Sequence, residues 1–302
     1  MKYLVIDVGG SAIKYALMNK QAEIIESNQL ATPTDSFTSF RTTLEGLYQH
    51  YKEQIAGIAF SLPGGIDSEQ GRSITGGLLS YNDNRNFVAD IQSFCPLPVT
   101  IENDAKCATL AEAWKGTLTG YKNGIVVVLG SGVGGGIFLN GQLYKGSHFA
   151  AGELSFLLTD SWHCKGDPYH YWGHDGGTRG LCRAVEHIKH LPPKSVNGHQ
   201  VFVWANEGDT EVCEALDAYT YRLAMQFFNL QSLFDPDVIA VGGGISAQPL
   251  LFQYIEKNMD YLEQHLPMHL TLPKVVRCHF MNDANLVGAL CHHLQMTETP
   301  VP

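Results

Sequence analysis

Positive charge, long apolar runs and paired cysteines are all scarce in this chain. Lys and Arg number 20 against 30 Asp and Glu, for a formal net charge of -10. An acidic balance with no Lys/Arg cluster argues against a nucleic-acid or anionic-membrane surface. No stretch approaches the roughly 18 apolar residues of a membrane span, and Asp7 interrupts the apolar start where a signal peptide would keep its core. The seven cysteines are odd in number and nowhere spaced CxxC, which fits a reducing cytosol better than a disulfide framework. The expectation is a cytoplasmic protein with neither nucleic acid nor membrane as partner.

What is present is globular: 44% apolar and 17% charged residues over 302 positions, enough apolar material for two cores. Most of the excess among the 31 glycines falls in short clusters. Two of these clusters sit in matching surroundings. Lys2 to Ile25 reads as strand, Gly9-Gly10 turn, strand, Asn19-Lys20 turn, strand; Gly124 to Lys145 repeats the pattern around Gly130 to Gly136 and Asn140-Gly141. This internal repeat predicts two α/β domains of related topology facing each other across a cleft. The boundaries fall at 1–118 and 119–283, with a last helix over 284–302 packing back on the first domain.

Apolar spacing predicts helices over Phe37–Tyr51, Ala105–Trp114, Glu211–Phe234, about Pro249–Leu266 and about Ala284–Leu294. Short buried strands are expected over Ile55–Phe60, Val238–Val241 and near Val275–Phe280.

Read alone, each motif has two meanings. Asp7-Val8-Gly9-Gly10-Ser11, with Lys14 beyond it, is either a hairpin turn or a loop whose amides and hydroxyl hold an anion, with Asp7 placed to hold a metal through water. Gly130, Gly132 and Gly135 satisfy the GxGxxG dinucleotide fingerprint, but Ile137-Phe138-Leu139 and Asn140-Gly141 read as a strand and hairpin where a Rossmann turn needs a helix. A phosphate-embracing hairpin fits better. Asp104, in Glu102-Asn103-Asp104, is either a helix cap or a carboxylate that takes a proton from a substrate hydroxyl. Glu153, after Gly152, is a loop carboxylate. Gly242-Gly243-Gly244 allows either a flat ligand or tight packing.

The order and spacing of Ile6–Ser11, Glu102–Ala105, Gly130–Gly136, Ala151–Glu153 and Asp235-Pro236-Asp237 with Gly242–Gly244 resembles the ROK family of bacterial sugar kinases across essentially the whole chain. The resemblance implies the duplicated actin-like, hexokinase-like ATPase fold (ribonuclease H-like), ATP and Mg²⁺ as cofactors, and a homodimer. By position, Gly9, Gly10 and Ser11 with Lys14 would form the first phosphate loop, and Asp7 would hold Mg²⁺ through water. Gly130, Ser131 and Gly132 would form the second loop, and Gly243 and Gly244 would flank the adenosine. Asn103, Asp104 and Glu153 would hold sugar hydroxyls with Asp104 the general base. Gly64 and Gly65 would border the sugar, and Asn82 or Asn84 would reach it.

Departures from the family pattern sharpen the expectation. Where many members have a metal-binding His after the AGE triplet, this chain has Phe156. Gly176 and Leu181 stand at zinc-binding cysteine positions, and Arg183 stands at that of a sugar-binding Glu. No structural zinc is expected, although His163, Cys164, His174 and Cys182 remain nearby in sequence. Loss of the His and the Glu removes two partners for a free anomeric end. An aromatic at the His position also resembles the β-glucoside kinase branch. The expected reaction is therefore phosphorylation of a β-glucoside (cellobiose or gentiobiose type) at a 6-hydroxyl, with Phe156 lining the site. The alternative, in which Phe156 only fills core space, is an N-acetylmannosamine kinase or glucokinase. A non-catalytic sugar-binding protein is more distant. A family repressor would need a helix-turn-helix ahead of the first glycine loop, where a strand begins here at Tyr3.

Overall fold

The computed structural model describes residues 1–159, 171–266 and 271–298. They group into two units. The first comprises Met1–Lys115, Lys145–Ala151 and the described part of Asn282–Pro302; the second comprises Gly116–Tyr144 and the described part of Gly152–Met281.

In the first unit, β1 (Lys2–Val8), β2 (Ala12–Asn19) and β3 (Ile24–Ala31) form an antiparallel meander, followed by α1 (Phe37–Tyr51), β4 (Ile58–Leu62), the two-residue strands β5 (Ile66–Asp67) and β6 (Arg72–Ser73), α2 (Phe87–Gln92), β7 (Val99–Asn103) and α3 (Asp104–Lys115). The main sheet has the order β3-β2-β1-β4-β7, with β1, β4 and β7 parallel. Strands buried on both faces read as continuous apolar runs, as Leu4-Val5-Ile6 and Ile58-Ala59-Phe60 do. Ser36 caps α1 by accepting from the Ser39 amide. The predicted apolar stripe then faces the sheet through Phe40, Leu44, Leu47 and Tyr51.

The second unit repeats this plan with β8 (Gly124–Leu129), β9 (Val133–Leu139), β10 (Gln142–Tyr144), α4 (Trp172–Asp175), α5 (Thr178–Ile188), α6 (Gly198–Asn206), α7 (Thr210–Phe234), β11 (Val238–Gly242), α8 (Pro249–His265) and β12 (Lys274–Arg277). Its sheet order, β10-β9-β8-β11-β12, is that of the first sheet element for element, with β8, β11 and β12 parallel. The GxGxxG turn passes directly into β9, antiparallel to β8, so it does not lead into a helix as a Rossmann turn does. Its resemblance to a dinucleotide site ends at the sequence level. Around it, Trp172, Tyr219, Phe202 and Phe227 fill a separate core.

The remaining helix, α9 (Ala284–Thr297), belongs to the first unit and lies on α3. Gly288 makes this possible: a Cβ there would fall 1.7 Å from the Cys107 carbonyl oxygen. Among the described residues no helix is long and apolar enough to cross a membrane. The short elements β5, β6, α2 and α4 were not predicted, nor were β7, α5 and α6. Strand β7 is short, and α5 and α6 lie in a stretch whose glycines and cysteine drew attention to metal binding instead.

Candidate active site

In the first unit, the functional candidates collect at the carboxyl ends of parallel strands, where open α/β sheets bind ligands. Strand β7 passes into α3 with no intervening loop, and Asp104 is the first helical residue. The cap itself is Asn103, whose Oδ1 accepts from the Lys106 amide at 3.1 Å. The capping role that competed for Asp104 is therefore filled by its neighbour. Asp104 is half-buried, receives Asn103 Nδ2 on Oδ1 at 3.0 Å, and lies where the helix dipole favours a negative charge.

Asn103 Nδ2 also donates to the Gly64 carbonyl at 3.0 Å, which ties the Pro63–Gly65 turn to the Asn103-Asp104 junction. Gly64 has φ +92°, and a Cβ on it would lie 2.0 Å from the Thr75 carbonyl oxygen. Only glycine fits there. In the same loop system Asn82 is buried with no hydrogen-bond partner for Oδ1, a group poised for a donor. Asn84 instead is exposed at φ +53° in a turn.

Beneath the junction lies a set of charged side chains that sequence reasoning missed. Glu102, 1% exposed, accepts the Asn103 amide on Oε1 at 2.8 Å and pairs through Oε2 with Lys145 Nζ at 3.0 Å. Lys145 also donates to Ser68 Oγ at 2.6 Å. Lys106 is equally buried and donates to the Phe149 carbonyl at 2.8 Å. Segment 145–151 is thereby fastened to the first unit. Nothing in sequence marks a lysine as buried; the only available signal was its place beside Asn103-Asp104.

Asp7 ends β1. Its Oδ1 accepts from Ser61 Oγ at 2.8 Å and from Asn285 Nδ2 at 3.0 Å. Burial pushes its carboxyl above the usual range, opposed by these two bonds and by Lys14, which faces it across the hairpin. Both bonds end on one oxygen, so a desolvated carboxylate retains Oδ2 as an acceptor. This donor set fits a hydrated divalent cation. In the adjoining turn the Gly9 amide donates to the Ala12 carbonyl at 2.9 Å, Thr32 Oγ1 donates to the Gly9 carbonyl at 2.7 Å, and Ser11 is exposed. Gly10 is closely covered, since a Cβ would meet Leu78 at 2.8 Å.

In the second unit, Gly130-Ser131-Gly132 links β8 to β9, and the Thr178 amide donates to the Gly130 carbonyl at 2.9 Å. Gly243 has φ +91°, and a Cβ there would fall 2.3 Å from the Leu129 carbonyl oxygen; a Cβ on Gly244 would meet nothing within 4 Å. A cavity of about 770 Å³ opens beside these glycines, with Arg179, Glu186 and Asn197 also on its wall. That is ample for a nucleotide.

Glu153 and Phe156 lie at either end of one 3₁₀ turn, Leu154–Phe156. Gly152, at φ +84°, backs this turn onto Gly135 and Gly136, and Leu154 is buried against Gly135. Phe156 is 70% exposed and meets Tyr171 edge-on at 6.4 Å. It does not fill the core.

The residual metal-type residues are otherwise engaged. A Cβ on Gly176 would lie 2.2 Å from the Trp172 ring, so a cysteine does not fit there without repacking. His174 Nδ1 is 2.7 Å from Asp175 Oδ1, and burial pushes the Cys182 thiol up. Arg183 donates to the His174 carbonyl and lies 3.4 Å from Asp175 Oδ1. Among the described residues no group of three or more His, Cys, Asp or Glu is placed to hold a metal. His163 and Cys164 lie outside the described residues.

Known proteins resemble this chain over nearly its whole length. A curated β-glucoside kinase of Klebsiella pneumoniae is 33% identical over 99% of this chain and 98% of its own length. An N-acetyl-D-glucosamine kinase of Vibrio cholerae is 27% identical over 95% and 98%. The crystal structure of a ROK family protein from Streptococcus pneumoniae in complex with sucrose superposes with a TM-score of 0.88 at 29% identity, covering 98% of this chain and 99% of that one. The ROK family profile matches residues 3–295. Two sheets of identical strand order, glycine turns at the ends of their parallel strands and this likeness over nearly the whole length agree: the chain belongs to the ROK family and has the duplicated actin-like, hexokinase-like ATPase fold.

Proposed function

We propose that this carbohydrate kinase transfers the terminal phosphoryl group of ATP to the 6-hydroxyl of the glucose unit in a β-glucoside such as cellobiose or gentiobiose. Phosphoryl transfer asks a protein chiefly for positioning and charge stabilisation. In the first unit Asp104 takes the hydroxyl proton, and Asn103 orients it while gripping the sugar with Gly64, Gly65 and Asn82. In the second unit Glu153 holds a further sugar hydroxyl, and Gly130, Ser131, Gly132, Gly243 and Gly244 receive the nucleotide. Gly10 and Ser11 supply amides, and Ser11 a hydroxyl, to the phosphates, while Gly9 closes the turn through its bond to Ala12. Asp7 would hold Mg²⁺ through water, and the ion would supply charge neutralisation.

The exposed ring of Phe156 carries the acceptor reading. It stands where a hydrogen-bonding His would grip a free monosaccharide, and an apolar ring tolerates or stacks on a second sugar. Arg183, at the other altered position, has its guanidinium tied to His174 and Asp175. The similarity to the Klebsiella pneumoniae β-glucoside kinase, and at 29% identity to one from Listeria monocytogenes, supports the same reading. The second reading is an N-acetylhexosamine kinase, favoured by relatives 27–28% identical that phosphorylate N-acetyl-D-glucosamine by name.

The deciding measurement is kcat/KM for cellobiose and gentiobiose against glucose, N-acetylglucosamine and N-acetylmannosamine. A disaccharide should lead, and Phe156→Ala should reduce its lead by roughly tenfold, the loss of one stacking contact. A monosaccharide ahead by tenfold or more would refute the β-glucoside assignment while leaving the kinase itself standing.

A further inference from the structure

The cavity of the second unit contains a buried acid that phosphate binding does not use. Helix α5 starts on the glycine turn, where the Thr178 and Arg179 amides donate to the Gly130 and Ser131 carbonyls. From there Arg179, Cys182, Arg183 and Glu186 recur along one face, three, four and seven residues on, and all four line the cavity. At about 1.5 Å per residue, Glu186 lies roughly 10 Å along the helix from Arg179. That is the nucleoside end of the cavity, remote from the phosphate loop.

Glu186 is 6% exposed. Its Oε1 accepts from the Val196 amide at 3.0 Å, which fixes the carboxylate against the loop leading to α6. Oε2 has no hydrogen bond among the described residues, yet it belongs to a side chain on the cavity wall. An ionised carboxylate is acceptor-only, so a ligand that displaces water from Oε2 in this cavity must offer it a donor. Adenine presents its amino group beside ring-nitrogen acceptors, which an adjacent carboxylate would repel. The ribose presents hydroxyls whose protons turn freely toward an acceptor.

We propose that Glu186 reads the sugar of the nucleotide: Oε2 accepts a hydrogen bond from the ribose 2′- or 3′-hydroxyl, making the enzyme selective for ribonucleotides. The proposal rests on the reading of this cavity as the nucleotide site. Calorimetric titration of the whole protein in Mg²⁺ with ADP, 2′-deoxy-ADP, 3′-deoxy-ADP and purine riboside diphosphate, which lacks the amino group, tests it without an acceptor sugar. Removing one hydroxyl should weaken binding by roughly 10- to 100-fold, the range for a hydrogen bond to a charged group. Removing the amino group should change it by less than about threefold. In Glu186→Gln the amide oxygen still serves Val196, and the deoxy penalty should shrink toward unity with the melting temperature preserved. Equal affinity of the unaltered protein for all three adenosine forms overturns the proposal. So does a penalty that follows the amino group, or a deoxy penalty that survives Glu186→Gln. If no nucleotide binds at all, the reading of the cavity falls together with the proposal.

Discussion

At the residue scale the proposed chemistry turns on a division of labour between two neighbours. Asn103 caps α3 and ties down the Gly64 turn, so Asp104 is not needed for either task. Asp104→Asn removes the base while keeping a side chain of the same shape that Asn103 and the helix start can still engage. It should lower kcat by roughly 10²–10⁴, with little change in the KM for sugar and a melting temperature within a few degrees of the parent. Steady-state kinetics and a thermal melt check this; near-normal kcat would remove Asp104 from the role of base. Asn103→Ala should behave differently. It loses a cap and leaves the Gly64 carbonyl without that donor, so stability should fall by about 1 kcal/mol alongside activity.

At the element scale, the α3–α9 contact holds the Asp104 helix in place. The approach of Gly288 to the Cys107 carbonyl leaves no room for a methyl group. Gly288→Ala must push the helices apart, at a cost of about 1–3 kcal/mol for overpacking, which a thermal melt would register as a lower Tm. The same helix carries an acid sensitivity. Burial lowers the pKa of His292 and of His293 to about 4. Both are bases depressed below their unfolded values, so their contribution to stability is present above about pH 6.5. It is lost as pH falls from there toward 4, because the unfolded chain takes up protons that the folded chain refuses. The slope is at most about 1.4 kcal/mol per pH unit for each histidine. In His292→Leu, which also removes a buried Nε2 without a hydrogen-bond partner, the melting temperature should fall less steeply across that window than in the parent. Parallel curves would mean that His292 does not titrate in this range.

At the scale of the whole molecule, the duplication explains why the candidate residues fall where they do. In each sheet the central parallel strands end in a glycine turn or an acidic junction: Asp7, Pro63-Gly64 and Asp104 in one, Gly130 and Gly243 in the other. In the second unit the packing of Trp172 against Gly176 occupies the space of one zinc-binding cysteine. Protein purified, treated with chelator and dialysed should contain far less than one zinc per chain, with activity restored by Mg²⁺ alone. Stoichiometric zinc surviving dialysis would contradict this and direct attention to His163, Cys164, His174 and Cys182.

Local pattern alone determined a good deal. The two glycine-turn meanders, the amphipathic α1, the long α7 and the false dinucleotide fingerprint are all legible because strand alternation, helical period and turn glycines act within a few residues of themselves. The positions of Asp7, Asp104 and the glycine loops could be read for the same reason: each sits at a strand end marked by its own neighbours. Tertiary structure alone decided what depends on distant partners. The capping role went to Asn103 rather than Asp104, Lys106 was buried against Phe149 and Lys145 was paired with the buried Glu102, Asn285 was delivered to Asp7 from the far end of the chain, and Phe156 was left in the open. Glu186 passed unnoticed because its meaning depends on a cavity wall assembled from loops and helices far apart in sequence. Burial and proximity are properties of the folded chain, and no short window of residues contains them.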